Sequence, residues 1–351
     1  METYTLPAAD GFAREMDGSP VGLYFIHSRD GSCSCAITNY GARIVSLIVP
    51  DRTNNPTDVV LGYSTLDGYL QLPEEYMGAA VGRCANRIAA GLFVLNGETC
   101  ILPVNNGPNT LHGGIRGFHG RVWKVLTDRE HALTLSYRSL DGEEGFPGNL
   151  DVEIVYEWKD DNTLQMRYHA HADKATLVNV SNHSYFNLSG EGCDTILDHE
   201  LKMDAEAITP VNDMLIPTGI FQPVADTPFD FRKGRIIGES IEEAHEQLQF
   251  GKGYDHNFIL HPGSPEVLLR SPRSGIQMRL TTDRPGMQFY SGNFLDGSRK
   301  GKRDMPYGHR SALALEPQCF PDAIHHPNFP SVVLKPGAVY YTTSEYQFSR
   351  S

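Results

Sequence analysis

The sequence is short of several things that would mark other kinds of protein. No apolar run approaches the roughly 20 residues that a membrane-spanning helix needs, so no membrane association is expected. Basic residues are outnumbered, with 30 Lys and Arg against 43 Asp and Glu and a formal net charge of -13, and no basic stripe is present. That balance argues against a nucleic-acid partner. Cysteine is sparse: Cys33, Cys35, Cys84, Cys100, Cys193 and Cys319 show no zinc-type spacing and read as reduced thiols of a cytoplasmic protein. The N-terminal residues lack a basic region followed by an apolar run, so no secretory signal is expected. Asn-X-Ser sequons at Asn179, Asn182 and Asn187 crowd one short stretch where glycans would collide, which suits a chain that never meets the glycosylation machinery.

Nucleotide and metal signatures are also missing. Gly113–Gly117 is glycine-rich but lacks the strand–loop–helix setting of a phosphate loop, and no Gly-X-Ser-X-Gly elbow occurs. His169 and His171 share a strand face and His325 and His326 are adjacent, yet neither pair has a third ligand at metal spacing. No metal and no cofactor are expected. Helical signals are few and short; the best is Ser240 to Leu248, where Ser240 and Glu243 match a capping box.

What the chain does have is punctuation and alternation. Its 34 Gly and 22 Pro favour many short strands joined by turns. Phe93-Val-Leu, Asn96-Gly97 and Glu98-Thr-Cys-Ile-Leu form the clearest hairpin, because Asn-Gly supplies the positive φ angles of a type I′ turn. Leu133, Leu135 and Tyr137 alternate with Thr134, Ser136 and Arg138. Val152, Ile154, Tyr156 and Trp158 alternate likewise, as do Leu164, Met166, Tyr168 and Ala170. With 40% hydrophobic residues and no linker or composition shift, residues 1–351 read as one all-β domain, a large antiparallel β-sandwich.

One stretch stands out, Leu177 to Gly190. As an extended strand it puts Val178 and Val180 on one face and Asn179, Ser181, His183 and Tyr185 on the other. Most such polar faces are simply solvated. This one carries no Lys or Glu and has a histidine at its centre, which suits a wet cavity that binds something rich in hydroxyls.

Four further stretches carry polar groups that could meet there. In Gly82-Arg-Cys-Ala-Asn-Arg-Ile, Arg87 offers a rigid fork of donors and Asn86 both a donor and an acceptor; the plain alternative is a surface turn. The loop Pro103-Val-Asn-Asn-Gly-Pro-Asn-Thr-Leu-His-Gly-Gly ends in His112 and two glycines that permit close backbone approach to a ligand, although a lone loop histidine is more often neither donor nor proton carrier. Asp255, before a short apolar strand, either caps a turn or accepts bonds from two vicinal hydroxyls, and Gln288 sits in a similar setting. In Ser311-Ala-Leu-Ala-Leu-Glu-Pro, alternation sets Ala312, Ala314 and Glu316 on one face, with open volume beside the glutamate, and Pro317 is expected to stop the strand. A partly desolvated glutamate has its pKa raised toward the range of a useful base; the alternative is a strand-end glutamate in water.

Taken together, GRCANRI (82–88), LPVNNGPNTLHGG (102–114), NHSYFNLSG (182–190), GYDHNF (253–258), GMQFYSGNFLDG (286–297) and EPQCFPD (316–322) resemble the aldose 1-epimerase (galactose mutarotase) family over nearly the whole chain. The resemblance implies a β-sandwich cleft in which a histidine and a glutamate face a sugar from opposite sides. It implies His183 as general acid and Glu316 as general base, with Asn86, Arg87, His112, Asp255 and Gln288 as hydroxyl-binding groups and Tyr185 lining the cleft. The implied reaction interconverts the α and β anomers of free aldohexoses such as galactose and glucose, with a monosaccharide as partner and a monomer or homodimer as the assembly. Departures at Cys84, Phe118-His-Gly-Arg and Cys319 bear on ligand preference rather than chemistry. A carbohydrate-binding module and a glycoside hydrolase using Asp255 and Glu316 stand as alternatives.

Overall fold

The computed structural model describes residues 4–71, 76–263 and 266–351. Alternation builds two large sheets that pack face to face. The larger has nine strands, in the order Lys124–Arg129, Ala132–Ser139, Leu150–Trp158, Thr163–Ala172, Tyr340–Arg350, Ile276–Thr282, Glu266–Arg270, Glu200–Met203 and Arg235–Ile236. The second has six, in the order Tyr185–Phe186, Leu313–Gln318, Gly286–Tyr290, Asp255–Leu260, Ala205–Thr209 and Gln222–Pro223. A third sheet has four strands, Leu23–His27, Ser34–Thr38, Arg43–Pro50 and Pro56–Asp58. All the strand pairings are antiparallel among the described residues, as in a sandwich built from hairpins and longer returns.

Each expected alternating run turns one face inward. Leu133, Leu135, Ile154, Tyr156, Trp158, Leu164, Met166, Tyr168, Tyr346 and Phe348 from the nine-stranded sheet meet Phe258, Met287, Phe289, Leu313 and Leu315 from the six-stranded one in a single apolar cluster. Burying each large apolar side chain contributes about 1.5–3 kcal/mol, so this row fixes the register of the central strands. Register then fixes the opposite face. On the far side of the six-stranded sheet Asn257 pairs with Gln288 and Gln288 with Glu316, so three polar side chains lie in a row. All three are buried. A buried polar face on the central strands is where a fold has room for a site.

Several local expectations change. The Asn96-Gly97 hairpin forms as read, with φ of 52° and 83° and Leu92–Leu95 paired to Glu98–Ile101. Residues 177–190, however, are not one strand. Thr176–Leu177, Ser181–Asn182 and Tyr185–Phe186 pair with three different strands, Val333–Leu334, Ala80–Val81 and Leu313–Gln318. The turns between them break simple alternation. Asn179 is spent on the backbone, its Oδ1 accepting the Cys319 N–H at 2.8 Å, and Ser181 lies outside the cleft. The expected capping box also fails. Ser240 and Glu243 make only a backbone turn, and the helix runs Glu246–Gly251 with His245 as its cap, the imidazole accepting the Gln247 N–H. Pro317 does not end its strand, which continues to Gln318. The proline nitrogen faces an edge where Tyr185–Phe186 pairs only as far as Ala314, so no ladder bond is lost. The space beside Ala312 and Ala314 is not open either. It is packed by a second cluster that includes Tyr185 and Tyr290.

Of the paired glycines after His112 neither lines the hollow, and Gly113 is demanded by the backbone. Gly113 has φ of +89°, and a Cβ there would lie 1.8 Å from the Gly82 carbonyl oxygen. Gly113→Ala is therefore expected to cost about 3 kcal/mol or more, seen as a large drop in melting temperature or loss of soluble protein. A variant melting within a degree or two of wild type would refute this assignment.

Candidate active site

The polar face of the central strands opens into a hollow of about 590 Å³ lined by Asn86, Arg87, His112, His183, Tyr185, Asp255 and Glu316, with Tyr76, Asn106, Tyr290 and residues from the segment 294–299 forming part of its wall. A larger open groove of about 750 Å³ on the outer face of the nine-stranded sheet holds His169 and His171. Those rings are partly or fully exposed, and no buried acid–base pair meets there.

Glu316 comes from the middle of a fully buried strand, and its environment follows from that position. Burial raises its carboxyl well above the ordinary carboxylate range; the neighbouring Asp255 adds to this, and the Arg87 guanidinium partly offsets it. Oε2 meets no hydrogen-bond donor among the described residues. Oε1 lies 3.6 Å from His183 Nε2, with both side chains almost wholly buried. The backbone of His183 is bonded on both sides, its N–H to Ala79 O at 2.8 Å and its carbonyl accepting from Gly78 N–H at 2.9 Å. Its ring packs 4.9 Å from Tyr185 and 5.1 Å from His112. The two groups thus stand side by side in the hollow. A hemiacetal carries its hydroxyl and its ring oxygen on one carbon, so an adjacent pair reaches both.

His112 sits at φ 52° in the tight turn before Gly113. Its Nδ1 accepts the backbone N–H of Asn86 at 3.2 Å. Burial, with His183 and Arg87 nearby, pushes its pKa well below that of an ordinary imidazole. A neutral ring whose Nδ1 is an acceptor carries its proton on Nε2. His112 is therefore a hydrogen-bond donor. The same argument bears on metal binding. One ligand atom each from His112, His183 and Glu316 lies within 4.8 Å of the others, a spacing that would admit a cation. A ligating imidazole normally donates its second ring N–H; His112 accepts there instead, so its donor chemistry does not fit a metal ligand.

The remaining expected residues form the floor and one side. Arg87 is held by Nε donating to Asn106 Oδ1 at 3.0 Å. Asn86 uses Oδ1 to accept the Arg87 N–H at 2.9 Å and reaches Gln318 Oε1 at 3.4 Å. Gln288 lies behind Asp255 and outside the lining, donating from Nε2 to Asp255 Oδ1 at 2.6 Å. Gln318 donates to Gln288 Oε1 at 3.2 Å and Asn257 Oδ1 at 3.1 Å, closing a buried network under the carboxylates. Burial raises the Asp255 pKa; Arg87 and the Gln288 bond oppose it.

Sequence reading missed several of these. Gln318 was legible in principle, since it stands two residues beyond Glu316 on the same face. Tyr76, whose ring lies 4.7 Å from His112 and 5.9 Å from His183, gave no signal in its local sequence. Phe294, 53% exposed at the rim, stacks on Tyr290 at 6.1 Å, and its place within GMQFYSGNFLDG does not set it apart from its neighbours.

Comparison with solved structures places the fold. A GalM/aldose epimerase homologue from C. elegans superposes with a TM-score of 0.87 at 34% identity over 94% of this chain and 99% of that one. Galactose 1-epimerase from Lactobacillus acidophilus gives 0.85 at 28% identity, over 96% and 97%. Among curated proteins, galactose mutarotase of Bos taurus is 45% identical over 319 residues, covering 89% of this chain and 90% of that one. Aldose 1-epimerase of Escherichia coli K12 is 36% identical over 338 residues, covering 95% and 96%. The class defined by this sandwich is an isomerase of the galactose mutarotase fold. The chain belongs to the aldose 1-epimerase family, whose model matches residues 24–347.

Proposed function

We propose that His183 and Glu316 are the acid and the base with which this enzyme interconverts the anomers of free aldohexoses, galactose and glucose among them. The observation that carries the reading is the 3.6 Å approach of His183 Nε2 to Glu316 Oε1 inside a hollow ringed by hydroxyl-matching groups. Glu316 as carboxylate takes the proton of the C1 hydroxyl. His183 as imidazolium gives its proton to the ring oxygen. The bond between C1 and the ring oxygen breaks, C1 becomes a carbonyl, and C1–C2 turns by about half a revolution. Glu316 then returns its proton to the carbonyl oxygen while neutral His183 takes the proton of the attacking hydroxyl, and the ring closes on the other face. Neither group needs to be regenerated from outside.

His112, Asn86, Arg87 and Asp255 grip the hydroxyls, Asp255 as an acceptor and His112 as a donor, while Tyr185 walls the cleft and Gln288 holds Asp255 in place. The working unit is the whole chain as one cytoplasmic domain, monomer or homodimer, that binds a monosaccharide. The test is the exchange rate of α- and β-galactose followed by polarimetry or exchange NMR, with and without protein. Acceleration is expected; binding without acceleration would make the protein a sugar-binding module, and release of a chromogenic aglycone would make it a hydrolase.

A pH profile follows from the environment of Glu316. Only the ionised form can accept a proton, and burial lifts its pKa. Activity is therefore expected to fall as pH drops, through a midpoint above the ordinary glutamate value of about 4.3. A rate that stays flat down to pH ~4 would show that Glu316 is not the titrating base.

A further inference from the structure

A second buried charge cluster lies outside the catalytic hollow, where the arm that forms one wall of that hollow meets the body. Residues 294–299 line the wall with Phe294, Leu295, Asp296, Ser298 and Arg299. They belong to a two-legged arm. Gly297 N–H donates to Tyr307 O at 2.8 Å, Tyr307 N–H to Arg299 O at 2.9 Å, and Gly301 N–H to Met305 O at 2.8 Å. The arm has little secondary structure of its own to hold it against the body.

Lys302 reaches from the arm into the body. Its side chain is 7% exposed although it springs from an arm on the surface. Nζ donates to Asp58 Oδ2 at 2.7 Å, to Val45 O at 2.7 Å and to Val60 O at 2.9 Å. Three acceptors, one of them charged, match the three protons of an ammonium. Asp58 is itself fixed, its Oδ1 accepting the Leu47 N–H at 3.0 Å and Oδ2 the Ser46 hydroxyl. The main chain adds to the anchor: Lys302 N–H donates to Glu191 Oε1 at 3.1 Å, and Ser64 Oγ donates to Lys302 O at 3.2 Å. Tyr307, across the arm, sits 2.5 Å from the same Glu191 oxygen and 2.6 Å from Gly62 O.

We propose that Lys302 is a positioning residue for sugar binding: its ammonium, locked between Asp58 and the carbonyls of Val45 and Val60, holds the arm so that residues 294–299 close the hollow. The assignment rests on the sugar-binding reading of that hollow. Lys302 touches no reacting atom, so its influence falls on affinity and leaves the chemical step alone.

Removing the side chain leaves a cation-shaped vacancy that a small amine can refill. In Lys302→Ala, Kd for galactose and KM are expected to rise about tenfold with kcat within about twofold of wild type, and methylammonium is expected to restore both. The amides of 294–299 are expected to exchange hydrogen faster, a readout that needs no ligand. Tyr307→Phe, which removes only a hydroxyl, is the milder variant should the first fail to fold, with an expected threefold or so rise in Kd and KM. Unchanged Kd and unchanged amide exchange in a folded variant would overturn the proposal. So would methylammonium that restores melting temperature but not affinity, because that pattern marks a purely structural lysine. Wild-type protein that binds galactose without exchanging anomers would instead sink the catalytic reading and leave this one to be judged on Kd and amide exchange.

Discussion

Glu316→Gln is expected to slow anomer exchange by about 10² to 10⁴-fold while leaving the sugar bound. The amide keeps the shape of the carboxylate but cannot take a proton at any working pH. Loss of one positioned base is worth roughly that factor, or about 2.7–5.4 kcal/mol of barrier. Because the change removes an interaction made during reaction, kcat falls and Kd for galactose should move little. Residual activity within tenfold of wild type would sink Glu316 as the base. Stability supplies an independent check of opposite sign. The folded pKa of Glu316 lies above its unfolded value because burial disfavours the charge. Such a group stabilises the fold below its unfolded pKa, and that contribution is lost as pH rises through the folded pKa. Above that point the wild type carries a buried carboxylate, eased by Arg87, that the glutamine variant lacks. The variant is therefore expected to melt higher than wild type at neutral and alkaline pH, with the gap closing as pH falls toward the unfolded pKa. A variant both slower and equally less stable at every pH would contradict the burial argument.

His183→Asn is expected to lower kcat by a similar ~10² to 10⁴-fold, with KM for galactose changed far less. Asparagine retains a donor but has no acid to give the ring oxygen. The ring of His183 packs against Tyr185 at 4.9 Å, His112 at 5.1 Å and Tyr76 at 5.9 Å, so its loss also leaves a gap. A stability cost of about 1–2 kcal/mol is expected, and the folded fraction must be checked by circular dichroism before rates are compared. The double variant with Glu316→Gln decides whether the pair acts as a unit. Groups that share one step are strongly non-additive, so the double variant should be about as slow as the slower single one. Fully multiplied losses would place the two residues in separate steps.

The sheets were readable because their signal is local. Leu135, Val152 and Met166 alternate with polar neighbours, and each of them is buried where alternation puts it. The Asn96-Gly97 turn was readable for the same reason, since its positive φ angles are a demand of two adjacent residues. The stretch around His183 does not fold as the one strand its alternation suggests, because its segments find partners far away in sequence: Ala80–Val81 for Ser181–Asn182 and Leu313–Gln318 for Tyr185–Phe186. Nothing inside residues 177–190 announces those partners. Ser240 to Leu248 failed in the other direction, where a good local capping pattern lost to a cap made by His245. Of the site residues, Asn86, Arg87, His112, His183, Tyr185, Asp255 and Glu316 all reach the hollow, and Gln288 stands one contact behind it.

By itself the sequence determined which side chains exist to do acid–base work and which faces of the strands must be dry, because residue identity and a two-residue period are properties of neighbours in the chain. Only the tertiary structure decided that Glu316 lies beside His183, that His112 carries its proton on Nε2 and that Lys302 is a buried anchor. Desolvation, Coulomb interaction and hydrogen bonding depend on distance in space over a few ångströms. Those distances are set by sheet register and by returns of the chain between residues far apart in sequence.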